Sequence, residues 1–173
     1  ELEEMLAFAV SFDGPIAIRY PRGSAHQGLR EYQAPVEYGR SEIIRKGKKI
    51  AVLGVGSMIP SCMEICKGLK DDGYDPTFVN ARFVKPLDVD LLDELAKDHS
   101  LFVTVEENVK SGGYGEHVSA YMEACHPEIR VLSAAVWDRF VPQGNVESLR
   151  SRIGLGVEDI RQAIEDSEEL REQ

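Results

Sequence analysis

Apolar residues along this chain change their spacing from segment to segment, and each change marks an element. Ile50-Ala51-Val52-Leu53-Gly54-Val55 is a continuous apolar run, the pattern of a strand buried on both faces. After Gly56-Ser57 the spacing becomes helical: Ile59, Cys62, Met63, Cys66 and Leu69 form one stripe, and Gly73 ends it. Thr77-Phe78-Val79 predicts the next strand. Pro86-Leu87-Asp88 suits a helix N-terminus and opens a helix with Val89, Leu92, Leu95 and Ala96 on its inner face. Leu101-Phe102-Val103-Thr104-Val105 reads as a strand ending at Glu106-Glu107-Asn108. Gly112-Gly113 then leads into a helix with Tyr114, Val118, Tyr121, Met122 and Cys125 on one side. Val131 to Val136 is the last strand, Asn145 caps a short helix that Gly154 ends, and a final helix turns Ile160, Ala163 and Ile164 inward. Strands alternating with helices predict an α/β domain of parallel strands with right-handed crossovers, in three αβα layers.

The beginning of the chain departs from that alternation. Glu42-Ile43-Ile44-Arg45 reads as an edge strand, and Lys46-Gly47-Lys48-Lys49 as a tight turn into the central strand, a connection that predicts antiparallel neighbours. Residues 1–14 read as a helix that stops at Asp13-Gly14, and 15–20 as a strand. Residues 24–35 carry Gly and Pro without periodicity and read as a linker. The expected division is therefore 1–23 as the tail of one domain, 24–35 as linker and 36–173 as a second domain.

Composition narrows the function. Of 173 residues, 43% are hydrophobic and 29% charged, which is ordinary for a globular protein able to bury one good core. Thirty acidic and twenty basic residues leave a net charge of −10, which argues against nucleic acid as a partner. No apolar run approaches the roughly 20 residues a bilayer-spanning helix needs, so no membrane partner is expected. The chain begins with Glu and carries no signal-peptide pattern, which reads as a start inside a longer, cytoplasmic polypeptide. Cys62, Cys66 and Cys125 form no disulfide framework and are expected to be reduced, buried thiols.

Candidate chemistry is concentrated early. In Arg19-Tyr20-Pro21-Arg22-Gly23 two guanidinium groups lie where an apolar run stops at a proline, an arrangement suited to gripping a phosphate or carboxylate. Gly54-Val55-Gly56-Ser57 follows a buried strand, but the third glycine of a dinucleotide fingerprint is replaced by Ile59, and no acid ends the next strand. A tight turn for close helix packing is the better reading. Glu106 and Glu107 are adjacent on a strand and so point to opposite faces, which favours helix capping or an interdomain hydrogen bond over paired acid–base catalysis. Gly112-Gly113-Tyr114-Gly115 could present free amides to an anion, and the backbone of a neighbouring domain is the preferred alternative. Arg82 and Lys85 are expected to face Asp88 and Asp90 in a local ion network. His26, His99, His117 and His126 have no metal-ligand spacing, so neither a metal site nor a catalytic residue is expected.

Four segments resemble the 1-deoxy-D-xylulose-5-phosphate synthase family, in its order and spacing from residue 14 to about 165. They are Gly14 to Gly23, Ala81-Arg82-Phe83-Val84-Lys85-Pro86-Leu87-Asp88, Val105-Glu106-Glu107-Asn108 with its glycines, and Asp138-Arg139-Phe140-Val141-Pro142-Gln143-Gly144. The resemblance implies a transketolase-type C-terminal fold, a five-stranded mostly parallel sheet with one antiparallel edge strand, preceded by the end of a pyrimidine-binding domain. It implies a dimeric transferase dependent on thiamine diphosphate and Mg²⁺ that condenses pyruvate with glyceraldehyde 3-phosphate, serving isoprenoid and thiamine biosynthesis. On this view Arg22 holds the substrate phosphate. No Gly-Asp-Gly cofactor motif occurs in the chain, so cofactor, metal and catalytic residues would belong to upstream domains, and the chain alone would be inactive. A 2-oxoacid dehydrogenase beta subunit, a transketolase, or a free-standing assembly module are the alternatives.

Overall fold

Alternate residues of the central apolar run serve two different cores. The computed structural model describes residues 1–21, 26, 28, 29, 32 and 34–167. Helix α1 spans Leu2–Ser11, then β1 Glu42–Arg45, β2 Lys49–Gly54, α2 Ile59–Asp71, β3 Thr77–Asn80, α3 Val89–Leu95, β4 His99–Val109, α4 Tyr114–Cys125, β5 Arg130–Val136, α5 Val146–Arg152 and α6 Val157–Glu165. The strands form one five-stranded sheet in the order β1-β3-β2-β4-β5. The neighbours β3-β2, β2-β4 and β4-β5 are parallel, and β1 lies antiparallel on β3.

Ile50 and Val52 face α2 and α6, where Cys62, Ile65, Leu69, Ile160 and Ile164 close one core. Ala51 and Leu53 face α3 and α4, where Leu91, Leu92, Leu95, Val118 and Met122 close the other. That division is what a strand buried on both sides requires, and it gives the three αβα layers the periodicity predicts.

Some expectations needed correction. β1 is antiparallel, as read, but its partner is β3 and not β2. The connection after Arg45 steps over the start of β3: the Gly47 amide donates to Thr77 Oγ1 (2.9 Å) and the Lys48 amide to the Asp75 carbonyl (2.6 Å). Two inter-strand spacings are about 9.6 Å, and four extended Cα steps reach about 13 Å, so a short connection can skip a strand. Residues 15–20 are not a strand, since none of the five strands pairs with them. α1 stops at Ser11, short of Gly14, and α3 begins at Val89 with Asp88 as its cap, which leaves Val89 exposed. Ala163 is also exposed, because α6 buries only Ile160 and Ile164. Cys62 and Cys66 are buried, but Cys125 at the end of α4 is exposed. Burial pushes the Cys66 thiol up to about 12 and that of Cys62 well above the ordinary value, so both stay protonated. Arg22 and most of the expected 24–35 linker lie outside the described residues.

Gly47 is required by the crossover. A Cβ on it would meet the Asp75 carbonyl and lie 2.5 Å from the Pro76 carbonyl carbon. Gly47→Ala is expected to cost about 1–3 kcal/mol through overpacking against backbone that cannot yield. The urea midpoint should fall while the m value stays unchanged.

Candidate functional site

The carboxyl ends of the parallel strands, where open α/β sheets usually place ligands, carry most of the chain's organised polar chemistry. On β4, just beyond the end of its parallel pairing with β2 at Val105, stand Glu106 and Glu107, and alternation sends them to opposite sides. Glu106 is fully buried and accepts from the amides of Tyr114 (2.9 Å) and Gly115 (2.8 Å) at the start of α4. Both oxygens satisfy backbone donors that the first turn of a helix leaves unpaired, and the negative charge suits that end of the helix dipole. Glu106 is therefore a helix cap, and the amides that could have received an external anion already hold an internal one.

Glu107 lies on the other side. It accepts from Ser57 Oγ (2.7 Å) and from Nε and Nη2 of Arg150 on α5 (3.1 Å each). Partial burial disfavours its charge, but the Arg150 and Ser57 hydrogen bonds and the charges of Arg150 and Arg19 outweigh it and hold the carboxyl below its ordinary range. The tie joins β4, α5 and the 3₁₀ turn Gly56–Met58 that precedes α2. Beneath it, a Cβ on Gly54 would come within 2.8 Å of Cys62 Sγ and 2.9 Å of Ile59 Cδ1, so the glycine lets α2 sit directly on β2. This supports close packing over a dinucleotide site.

At the end of β3 the expected ion network exists with different partners. Arg40, not Arg82 or Lys85, pairs with Asp88 (2.9 Å) and Asp90 (2.6 Å), while Asp88 also accepts from the Ser41 and Leu91 amides. The Arg82 side chain is buried on a left-handed backbone at φ 50°, and its guanidinium bonds Glu42 (2.6 Å) and Glu1 (2.9 Å). Asn80 also donates to Glu1 (2.9 Å). Beside this hub, Phe8 of α1 and Phe12 just after it pack against Phe83 and Tyr38, with ring centroids 5.0–6.1 Å apart. These contacts, which hold α1 over the end of β3, were missed in the sequence. The only trace was the four-residue spacing of the two phenylalanines.

His99 and His126 play structural parts. His99 is buried between Thr77 Oγ1 (2.7 Å) and the Leu95 carbonyl (2.8 Å), and burial pushes its pKa down. His126 and the Tyr121 hydroxyl share Asp93 Oδ1, each at 2.8 Å. Among the described residues no group of three His, Cys, Asp or Glu side chains could hold a metal ion. No helix among them is long and apolar enough to cross a membrane. The described edge thus consists of caps, ties and a docked helix.

Residues 39–160 match the family model described as transketolase, C-terminal domain. The chain belongs to the transketolase C-terminal domain family. Curated relatives of this family member are 1-deoxy-D-xylulose-5-phosphate synthases. That of Lachnoclostridium phytofermentans is 42% identical over 161 residues, covering 92% of this chain and 26% of the relative. That of Dictyoglomus thermophilum is 39% identical over 165 residues, 95% of this chain and 27% of the relative. The Chlorobaculum tepidum protein is 40% identical over 162 residues, 92% and 26% respectively. The chain therefore spans about a quarter of the length of the curated relatives it matches. Among solved structures, a split-gene transketolase, described as an inactive beta4 tetramer, superposes with a TM-score of 0.72 at 29% identity over 80% of this chain and 44% of that one. A Pichia stipitis transketolase variant at 16% identity (TM-score 0.53, 71% of this chain, 17% of that one) shares the fold. The family resemblance and the mixed five-stranded sheet it implied both hold.

The Glu107 tie makes stability depend on pH with a definite sign. Because the folded carboxyl titrates below its ordinary value, the unfolded chain takes up this proton first as pH falls. The stabilisation is complete above the ordinary glutamate value of about 4.3 and is lost as pH drops through the lower folded value. Wild type is expected to exceed Glu107→Gln in urea midpoint at pH 7, and the difference should shrink toward zero in acid denaturation series run below about pH 4.

Proposed function

We propose that this chain is the C-terminal portion of a 1-deoxy-D-xylulose-5-phosphate synthase. The complete enzyme is a thiamine-diphosphate- and Mg²⁺-dependent transferase that condenses pyruvate with glyceraldehyde 3-phosphate, releasing CO₂, and feeds isoprenoid and thiamine biosynthesis in the cytoplasm. The observation that carries this reading is 42% identity across 92% of the chain to a protein of that description. Residues 1–23 are the tail of the pyrimidine-binding domain, 24–35 the linker, and 36–173 the C-terminal domain, which positions its neighbours within a homodimer.

In this reading Arg22 is the chain's one substrate contact. Its always-charged, fork-shaped donor set suits the phosphate of glyceraldehyde 3-phosphate. Thiamine diphosphate would supply the carbanion chemistry when bound to the upstream domains. The support for placing it there is that the chain contains no Gly-Asp-Gly motif and that its conspicuous carboxylates, Glu106 and Glu107, are already committed to Tyr114, Gly115, Ser57 and Arg150. The likeness to a split-gene transketolase supports a second reading, a transketolase-type subunit encoded apart from its cofactor-binding partner.

Arg22→Ala in the complete synthase tests the substrate contact. Loss of a charge-assisted phosphate contact is expected to raise KM for glyceraldehyde 3-phosphate about ten- to a hundredfold, with KM for pyruvate unchanged. An unchanged KM for the phosphorylated substrate would remove Arg22 from the site. Isothermal calorimetry of the 173-residue chain with thiamine diphosphate and Mg²⁺ is expected to show no micromolar binding. Such binding would place cofactor ligands in this chain and overturn its assignment as non-catalytic.

A further inference from the structure

Four large apolar side chains stand exposed where β5 turns toward α5: Trp137 (58%), Phe140 (103%), Val141 (37%) and Val146 (57%). Single exposed hydrophobes are ordinary, but a group of them on one turn marks an interaction surface. The turn has a built base. The Lys110 amide donates to the Val136 carbonyl (2.8 Å), the Arg139 amide to the Trp137 carbonyl (2.6 Å), and Lys110 Nζ lies 5.1 Å over the Trp137 ring. These contacts fix the turn and leave the Phe140 ring bare among the described residues.

The location of the turn points to what covers it. β5 ends on the carboxyl edge of the sheet, the edge that the amino-terminal segment also crosses. α1 is fixed above the end of β3 through Glu1, Phe8 and Phe12. Further on, Arg19 comes near enough for its charge to act on Glu107, close to the end of β4. α1 also turns Leu2, Leu6 and Val10 outward as an exposed stripe of four-residue spacing. Two bare apolar faces on one edge, in a chain spanning about a quarter of its curated relatives, fit one body lying across that edge.

We propose that the Trp137–Phe140–Val141–Val146 turn is the docking surface for the remainder of the synthase polypeptide, whose apolar concave face also covers the outer stripe of α1. This rests on the reading of the chain as the C-terminal portion of a longer synthase. Phe140 is the anchor, since an aromatic ring fully exposed among the described residues has the most to gain from a preformed pocket.

Hydrogen exchange read by mass spectrometry tests it. Peptides spanning 137–146 are expected to exchange at least about tenfold more slowly in the complete synthase than in the 173-residue chain, the change that desolvating one large side chain produces. Phe140→Asp is expected to abolish that protection in the synthase and to leave the thermal midpoint of the isolated chain unchanged, because the ring is fully exposed among the described residues. Phe140→Leu should keep part of the protection. Equal exchange in both contexts overturns the proposal. So does an isolated chain that sediments as a dimer and is split by Phe140→Asp while the synthase is unaffected, since a second copy would then be the occupant. A complete polypeptide that protects 137–146 but does not condense the two substrates supports the docking surface and overturns only the functional reading.

Discussion

A buried carboxylate near the end of β4, beside the central strand, governs how this domain is put together. Glu106 leaves solvent completely and gives each oxygen to a backbone amide at the start of α4. An ion taken out of water is tolerable only when such donors meet it. Because successive residues on a strand face opposite ways, fixing Glu106 against α4 commits Glu107 to the α2 and α5 side, where Ser57 and Arg150 receive it. One capping interaction thus fastens helices on both faces of the sheet to the same strand end. The edge most often used for ligands in α/β folds is here used for internal fastening.

The layered architecture was legible because the signals behind it are periodic and local. A six-residue apolar run has one stable environment, burial on both faces, and β2 has it. Asn145 and Asp88 cap the helices they precede because a short side chain at that position reaches amides two or three residues on. The role of Glu106 followed from alternation and the glycines that begin α4. What failed depends on contacts distant in sequence. The partner of β1 is set by how far a short crossover can reach, not by its length alone. The same holds for Asp88, whose partner Arg40 lies 48 residues away, and for Arg82, which reaches Glu1 and Glu42 in place of nearby acids. Ala163 and Val89 carry the right chemistry for an inner face, but their helices rotate or begin so that others fill it.

The candidate site shows the same division. Glu107 was visible as a strand-end carboxylate, but its partner Arg150 lies 43 residues on, and no spacing rule connects them. Membership in the transketolase C-terminal domain family rests on the match over residues 39–160. The hub of Arg82, Glu42 and Glu1 and the four-ring cluster beside it hold α1 over the end of β3.

The skipped strand also bears on the order in which the chain assembles. β1 emerges from synthesis before β2, yet the only strand it pairs with among those described is β3, which follows a whole helix later. Until β2, α2 and β3 have collapsed together, β1 has no ladder to join, and long-range pairing of this kind is slow compared with local structure. Anything tethered ahead of β1, α1 included, therefore finds its seat only after the centre of the sheet exists, so maturation of this edge proceeds from the middle outward against the direction of translation.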